Sequence, residues 1–203
     1  MNRKPKCIIV TGRPGSGKTT LADKLGPRLC MPVISRDEIK EGYVNTCGIK
    51  HDQLPPETNG LVTDIFFGIL TQYLAGKISV VAEAAFQHNV WEPRMPKILE
   101  LASPWIVLCS ADADVAARRH LERGLENPDR EFFHGDRLVA HYRTTGEILS
   151  PGTYEAPRFN IPTIRVSTDG EYVPCIDEIV KQIQSTDEKA MDHSSEHYNA
   201  RLS

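Results

Sequence analysis

The chain has few features that would place it at a membrane or in an oxidising compartment. No stretch approaches the ~18 consecutive apolar residues of a membrane-spanning helix. Its 5 cysteines are odd in number, scattered, and contain no Cys-x-x-C pair, so reduced thiols in a cytoplasmic protein are expected. A net charge of −3 offers no overall attraction for nucleic acid or for an anionic membrane.

Repeats are also lacking, and 203 residues suit one domain with a core of its own. Short apolar runs alternate with segments of helical spacing, which predicts an α/β fold. The expected strands cover residues 7–10, 31–35, 78–82, 105–109 and 163–166. Because each run is continuously apolar, we predict a five-stranded parallel sheet with helices on both faces, in three layers.

The expected connections follow from spacing and from helix-breaking residues. Apolar residues predict helices through residues 21–29, 61–76, 92–102, 112–123 and 172–183, and irregular segments over 43–60 and 144–162. Pro27 is expected to kink or end the first helix, because it has no N–H to donate. Ser35 is expected to cap a helix that begins after the second strand, with Glu38 three residues on.

One motif between the first strand and the first helix dominates the sequence. Gly12 to Thr19 reads G-R-P-G-S-G-K-T, the G-x-x-x-x-G-K-[ST] pattern in the strand–helix context that it requires. Glycines allow successive backbone N–H groups to converge on a phosphate, and the helix N-terminus adds partial positive charge. The motif predicts a phosphate-binding loop, which we call the phosphate loop.

Each residue of the phosphate loop is a candidate nucleotide ligand. Lys18 is placed to reach the β- and γ-phosphates, and the Thr19 hydroxyl to ligate Mg²⁺. The predicted nucleotide-binding residues here are Gly12, Arg13, Pro14, Gly15, Ser16, Gly17, Lys18, Thr19 and Thr20. ATP and Mg²⁺ are therefore the expected ligands.

Other features limit the class of phosphate-loop protein. No Asn-Lys-x-Asp base-reading motif of a GTPase occurs, and motors and helicases need longer chains. The remaining motifs resemble the P-loop small-molecule kinase group that includes chloramphenicol phosphotransferase, the polynucleotide 5′-hydroxyl kinase domain and zeta toxins. Four segments carry the likeness, and they are residues 17–20, 34–39, 80–86 and 112–123.

The resemblance implies roles for two acidic residues at strand ends. Asp37, just after the second strand, would be the catalytic base that accepts the proton of an attacking hydroxyl. Glu83, at the end of the third strand, would support Mg²⁺ together with Thr19. Members of the group more often carry Asp at this position, so Glu83 could contact the substrate instead.

The resemblance also implies roles for arginines. Arg119 would stack on adenine and Arg123 would act on the phosphates as a catalytic lid arginine, with Arg130 and Arg137 as rivals. Arg36 and Lys40 could bind acidic parts of a substrate, although exposed charges on a helix are the simpler expectation.

These inferences together predict a P-loop kinase domain over residues 1–185, with a lid at about 124–136 and a disordered polar tail over 186–203. The expected reaction is transfer of the γ-phosphoryl of Mg-ATP to a hydroxyl of a small molecule. A polynucleotide or nucleotide-sugar kinase is the first alternative, and a non-catalytic nucleotide-binding switch or regulatory ATPase is the second. The acidic composition weighs against a nucleic-acid substrate.

Overall fold

A single parallel sheet forms the centre of the molecule. The computed structural model describes residues 3–135, 137–149 and 152–185. Its five strands lie in the order β2-β3-β1-β4-β5, all parallel. They are β1 Lys6–Thr11, β2 Val33–Ser35, β3 Val80–Glu83, β4 Ser103–Ser110 and β5 Thr163–Ser167. The α/β class and the five-stranded parallel sheet predicted from sequence are confirmed.

Helices connect the strands and cover the sheet. They are α1 Lys18–Leu29, α2 Arg36–Cys47, α3 Thr58–Ala75, α4 His88–Trp91, α5 Met95–Leu101, α6 Ala113–Glu126, α7 Asp129–His134 and α8 Arg137–Thr145. A 3-10 turn occupies His51–Gln53, and a further helix, α9, covers residues 176–185. Ser35 caps α2 as predicted, since its side chain accepts a hydrogen bond from the Glu38 N–H.

The two faces of the sheet have separate cores. Alternate residues of a strand point to opposite faces, so Ile8 and Val10 of β1 pack with α1 and α9 while Cys7 and Ile9 pack with α3, α4 and α5. Both faces are therefore buried, which explains why each strand reads as a continuous apolar run. The result is the predicted three-layer arrangement.

The expectation that Pro27 interrupts the first helix is wrong. Helix α1 continues through Pro27 to Leu29 and ends where Cys30 takes a left-handed φ of 55°. Pro27 lies in the last turn, so the missing N–H removes a single backbone hydrogen bond near an end that frays in any case.

Other boundaries also differ from the sequence expectation. The segment expected to be irregular from residue 43 keeps α2 to Cys47, and α3 begins already at Thr58. The helix expected over residues 92–102 forms as α5 from Met95 to Leu101, with Pro96 in its first turn, where proline is favoured, and the short helix α4 precedes it. The irregular character expected after residue 145 holds for the described residues up to β5.

The predicted tail and one residue of the predicted lid lie outside the residues that the structure describes. The tail is predicted from residue 186 on, and the lid residue is Asp136. Among the helices in the described ranges, none has the length and apolar character needed to cross a membrane.

A cluster of aromatic rings holds α3 and α4 on the sheet, and it gives a test of the core. Phe66 is fully buried, with ring centroids of Phe67, Phe86 and Trp91 at 5.2, 5.7 and 6.3 Å. Phe66→Ala should lower the free energy of unfolding by about 3–5 kcal/mol, because it removes the ring and leaves a cavity. Chemical denaturation followed by circular dichroism measures the change.

Leu61→Ala on the same helix is the matched control, since Leu61 is 46% exposed. It should alter the free energy of unfolding by no more than about 0.5 kcal/mol. Equal effects of the two substitutions would contradict the assignment of Phe66 to the core.

Candidate active site

The phosphate loop lies between the end of β1 and the start of α1, against helix α6. Gly15 and Gly17 have φ values of +79° and +76°, a region that side chains other than glycine rarely adopt. A Cβ on Gly15 would also lie 1.9 Å from the carbonyl oxygen of Ala116. Gly15 is thus required both by its backbone angle and by the close approach of α6.

A buried polar cluster joins this loop to β2 and β3. Lys18 and Glu83 are 5% and 1% exposed, and the Lys18 Nζ lies 3.6 Å from Glu83 Oε1. The Thr19 hydroxyl donates to Glu83 Oε1 at 3.3 Å, and the Ser35 hydroxyl donates to Glu83 Oε2 at 2.8 Å. The structure therefore brings together three residues that the sequence analysis selected, and adds Ser35.

Opposing effects set the pKa of Glu83. Burial raises this pKa above its usual value, while the charge of Lys18 and the hydrogen bonds from Ser35 and Thr19 lower it in part. The Thr19 hydroxyl and the Glu83 carboxylate are hard oxygen donors of the kind that Mg²⁺ prefers. Their closeness fits the predicted metal-supporting pair, with Thr19 as ligand and Glu83 in the outer shell.

Asp37 lies in the first turn of α2, directly after β2. Burial would raise the pKa of its carboxyl, but the positive charges of Lys18, His134 and Arg36 outweigh burial and hold the pKa below its usual value. The Arg36 Nη1 lies 3.4 Å from Asp37 Oδ1. Asp37 is therefore an ionised, half-exposed carboxylate in a positive field beside the phosphate loop.

One cavity contains Lys18 and Asp37 together. We call it the phosphate-loop cavity; its volume is about 620 Å³. Its walls come from the phosphate loop, α2, α6, α7, α8 and the segment after residue 148. The charged and imidazole side chains that line it belong to Arg13, Lys18, Asp37, His120, Arg123, Arg130, His134 and Arg137. All three rival lid arginines face the same space.

A second cavity of about 620 Å³ lies on the other side of the phosphate loop. Gly17, Thr20, Arg119 and Tyr172 line it, and we call it the Arg119 cavity. The Arg119 guanidinium donates to the carbonyl oxygens of Thr168 at 2.8 Å and Asp169 at 2.9 Å. These bonds fix the plane of the guanidinium, which suits the predicted stacking on a base. Arg119 and Arg123 thus serve two separate cavities from one helix.

The predicted lid packs against α2, the helix that carries Asp37. Helix α7 contacts α2 through His134, whose Nε2 lies 2.6 Å from Glu41 Oε1. The Lys50 ammonium donates to Glu131 Oε1 of α7 at 2.9 Å. Burial lowers the pKa of His134, although Glu41 and Asp37 oppose that shift. Residues on α7 therefore lie within electrostatic range of Asp37.

Sequence reasoning missed two residues of the site and misjudged one. Neither His134 nor Tyr154 belongs to a motif, yet both line the phosphate-loop cavity. The Tyr154 hydroxyl lies 2.8 Å from the Thr11 hydroxyl at the end of β1. Lys40, expected to be exposed, is 5% exposed, because the 3-10 turn covers it and places His51 Nε2 3.4 Å from its Nζ.

Comparison with known proteins agrees with this fold and loop. The chain belongs to the AAA_33 family, described as an AAA domain, which matches residues 7–144. No curated protein matches the sequence.

Solved structures share the fold at low sequence identity. A candidate kinase of Chloroflexus aurantiacus is 23% identical, with a TM-score of 0.74 over 90% of this chain and 98% of that one. A gluconokinase of Sinorhizobium meliloti is 16% identical, with a TM-score of 0.56 over 95% and 99%. The APS kinase of Mycobacterium tuberculosis is 17% identical, with a TM-score of 0.55 over 92% and 99%. The predicted resemblance to P-loop kinases and the predicted fold are confirmed.

The buried Lys40 gives a pH-dependent test of this region. Burial, and then the charge of Arg36, lower its pKa from 10.5 to about 8, with Asp37 opposing. Between these two values the unfolded chain retains a proton that the folded protein has lost, so stability rises with pH across that window. The unfolding free energy of the native protein, relative to Lys40→Met, should therefore increase between pH 8 and pH 10.

Urea denaturation at the two pH values measures that difference. Lys97→Met is the control, because the Lys97 side chain is 56% exposed and should give the same difference at both pH values. A pH-independent difference for Lys40→Met as well would contradict a lowered pKa for Lys40.

Proposed function

We propose that this member of the AAA_33 family is an ATP-dependent kinase that transfers the γ-phosphoryl group of Mg-ATP to a hydroxyl of a small molecule. The observation that carries the proposal is the position of Asp37, an ionised carboxylate in the same cavity as Lys18 of the phosphate loop. A protein that only bound nucleotide would need the loop but not a carboxylate facing it. Three fold relatives bear kinase names, which supports the same class.

In the proposed reaction, backbone N–H groups of the phosphate loop and the Lys18 ammonium hold the β- and γ-phosphates. Thr19, with Glu83 behind it, would hold Mg²⁺, which neutralises phosphate charge when it is bound. Asp37 accepts a hydrogen bond from the acceptor hydroxyl and directs its oxygen at the γ-phosphorus. A bond forms from that oxygen to phosphorus, the bond to the bridging oxygen breaks, ADP leaves, and the proton passes to Asp37.

The remaining candidate residues have supporting roles. Arg123, on the helix that packs on the phosphate loop, would neutralise charge on the transferring phosphoryl group. Arg119, in its own cavity, would stack on the adenine. One kinase domain over residues 1–185, with a lid at about 124–136, is the organisation that we propose.

Two alternatives predict different behaviour. A polynucleotide or nucleotide-sugar kinase would use the same loop and base with a larger acceptor, and the net charge of −3 disfavours the polynucleotide. A nucleotide-binding switch would not depend on Asp37. A phosphoryl-transfer screen with Mg-ATP over alcohols, sugars, nucleosides, antibiotics and 5′-hydroxyl oligonucleotides separates the acceptor classes.

Asp37→Asn separates the kinase from the switch. The amide keeps the size of the side chain but loses the basic carboxylate, so phosphoryl transfer should fall by about 10²- to 10⁴-fold. Affinity for Mg-ATP should remain nearly unchanged, because the phosphate loop and Thr19 are intact. Steady-state kinetics with an acceptor from the screen and calorimetric titration of the nucleotide measure the two quantities.

Glu38→Gln is the matched control, since Glu38 is the next residue on α2 and its side chain is exposed. It should change neither quantity. Loss of nucleotide affinity in Asp37→Asn would place Asp37 in the metal site, and unchanged transfer would favour the switch.

The lid gives a second test of the proposed function. Two polar pairs join helix α7 to its neighbours, Lys50 with Glu131 and His134 with Glu41 of α2. Such contacts open easily, so residues 124–135 should exchange backbone hydrogens rapidly without nucleotide and slowly with Mg-AMPPNP. Hydrogen exchange read by mass spectrometry measures this, with β1 as an internal control that should stay protected. Equal exchange of the lid in both states would count against closure.

A further inference from the structure

Positive side chains predominate in the described lining of the phosphate-loop cavity. Its lining includes five permanent cations, Arg13, Lys18, Arg123, Arg130 and Arg137, and one carboxylate, Asp37, among the described residues. Mg-ATP carries about two negative charges. Lys18 is paired with Glu83, and Mg-ATP, Asp37 and Glu83 together carry fewer negative charges than the five side chains carry positive ones. The described lining can therefore accept an anionic acceptor as well as the nucleotide.

The arginines divide between two sides of the cavity. Arg123 belongs to α6, whose Ala116 lies against Gly15 of the phosphate loop. Arg130 belongs to α7, which packs against α2 and the 3-10 turn. Asp37 lies in the first turn of α2, so Arg130 comes from the element that packs on the helix of Asp37, whereas Arg123 comes from the helix that packs on the phosphate loop.

Arg130 shares the phosphate-loop cavity with Asp37 and lies one helical turn from His134. Arg130 and His134 are four apart on α7 and both line the cavity. Burial is the main cause of the low pKa of His134, and the charge of Arg130 lowers this pKa further, whereas Glu41 and Asp37 raise it. The charge of His134 in turn lowers the pKa of Asp37. The Arg130 Nε is buried and has no hydrogen-bond partner in the described ranges. A buried N–H donor without an acceptor is costly, and a ligand in the cavity could supply that acceptor to Nε.

We propose that the acceptor of the phosphoryl group is itself an anion, and that Arg130 binds its carboxylate, phosphate or sulfate group while Asp37 holds its hydroxyl. This inference rests on the proposed kinase function and narrows it to hydroxyl-bearing acids. A planar guanidinium can give two parallel hydrogen bonds to such a group, which fixes the orientation of the acceptor as well as its charge. Arg130 is thus a specificity-determining residue.

Pairs of compounds that differ in one acidic group test the inference. The protein saturated with Mg-AMPPNP is titrated calorimetrically with glycerol and glycerol 3-phosphate, with ribose and ribose 5-phosphate, and with glucitol and gluconate. Because the nucleotide analogue already occupies the phosphate loop, an acid that binds this complex must bind elsewhere in the cavity. At least one acid should bind ten times or more tighter than its neutral partner, and the identity of that acid distinguishes phosphate from carboxylate.

Variants assign the effect to one side chain. Arg130→Gln should weaken binding of the acid by about 10- to 100-fold, as expected for a lost charge-assisted hydrogen bond. Its affinity for Mg-AMPPNP and for the neutral partner should stay within about threefold of the native protein, and Arg130→Lys should restore part of the affinity for the acid. Arg118→Gln is the control, because Arg118 is exposed on α6 and does not line the cavity.

Three results would overturn the inference. They are failure of every acid to bind the Mg-AMPPNP complex, equal binding of acids and neutral partners, and loss of nucleotide affinity in Arg130→Gln, which would assign Arg130 to ATP. Failure of the native protein to bind Mg-AMPPNP at all is a separate outcome, because it would remove the proposed kinase function rather than the acidic acceptor alone.

Discussion

The contact between Lys18 and Glu83 is the constraint on which the rest of the site depends. Both charges are almost completely buried, and Lys18 begins α1 while Glu83 ends β3. Removal of either partner would leave an uncompensated buried charge, which costs several kcal/mol, about 3–5 in known cases. Ser35, at the end of β2, completes the cluster. Two strand ends and the start of α1 are therefore held together beside the phosphate loop, which is the preorganisation that electrostatic stabilisation needs.

Features encoded by neighbouring residues could be predicted from the sequence. The phosphate loop needs only a local pattern of glycines before a helix, and the capping of α2 needs only Ser35 and Glu38. Glu83 and Asp37 could be placed near the loop because each follows an apolar run, and parallel strands share one carboxyl edge. The five strands could be predicted since a strand buried on both faces is apolar throughout.

Features that join distant residues had no such signal. Tyr154 reaches Thr11 across 143 positions, and His134 reaches Glu41 across 93, within segments that have no apolar period. The burial of Lys40 could not be predicted for the same reason, because it depends on the distant 3-10 turn that packs over it and not on its own helix. Pro27 differs again: a proline near the end of a helix loses too little to shorten it, and only the left-handed Cys30 marks the true end.

The positive field around Asp37 raises a question of mechanism, because a lowered pKa makes a carboxylate a weaker base. Phosphoryl transfer passes through a loose transition state in which the nucleophile keeps its proton until late. In the proposed reaction, Asp37 therefore first has to be ionised so that it can orient the acceptor hydroxyl, and a low pKa favours the ionised form. Arrival of phosphate charge would then neutralise part of the field from Lys18, so the pKa of Asp37 would rise as the proton must be taken. One set of cations would thus serve phosphate binding and the timing of proton transfer together.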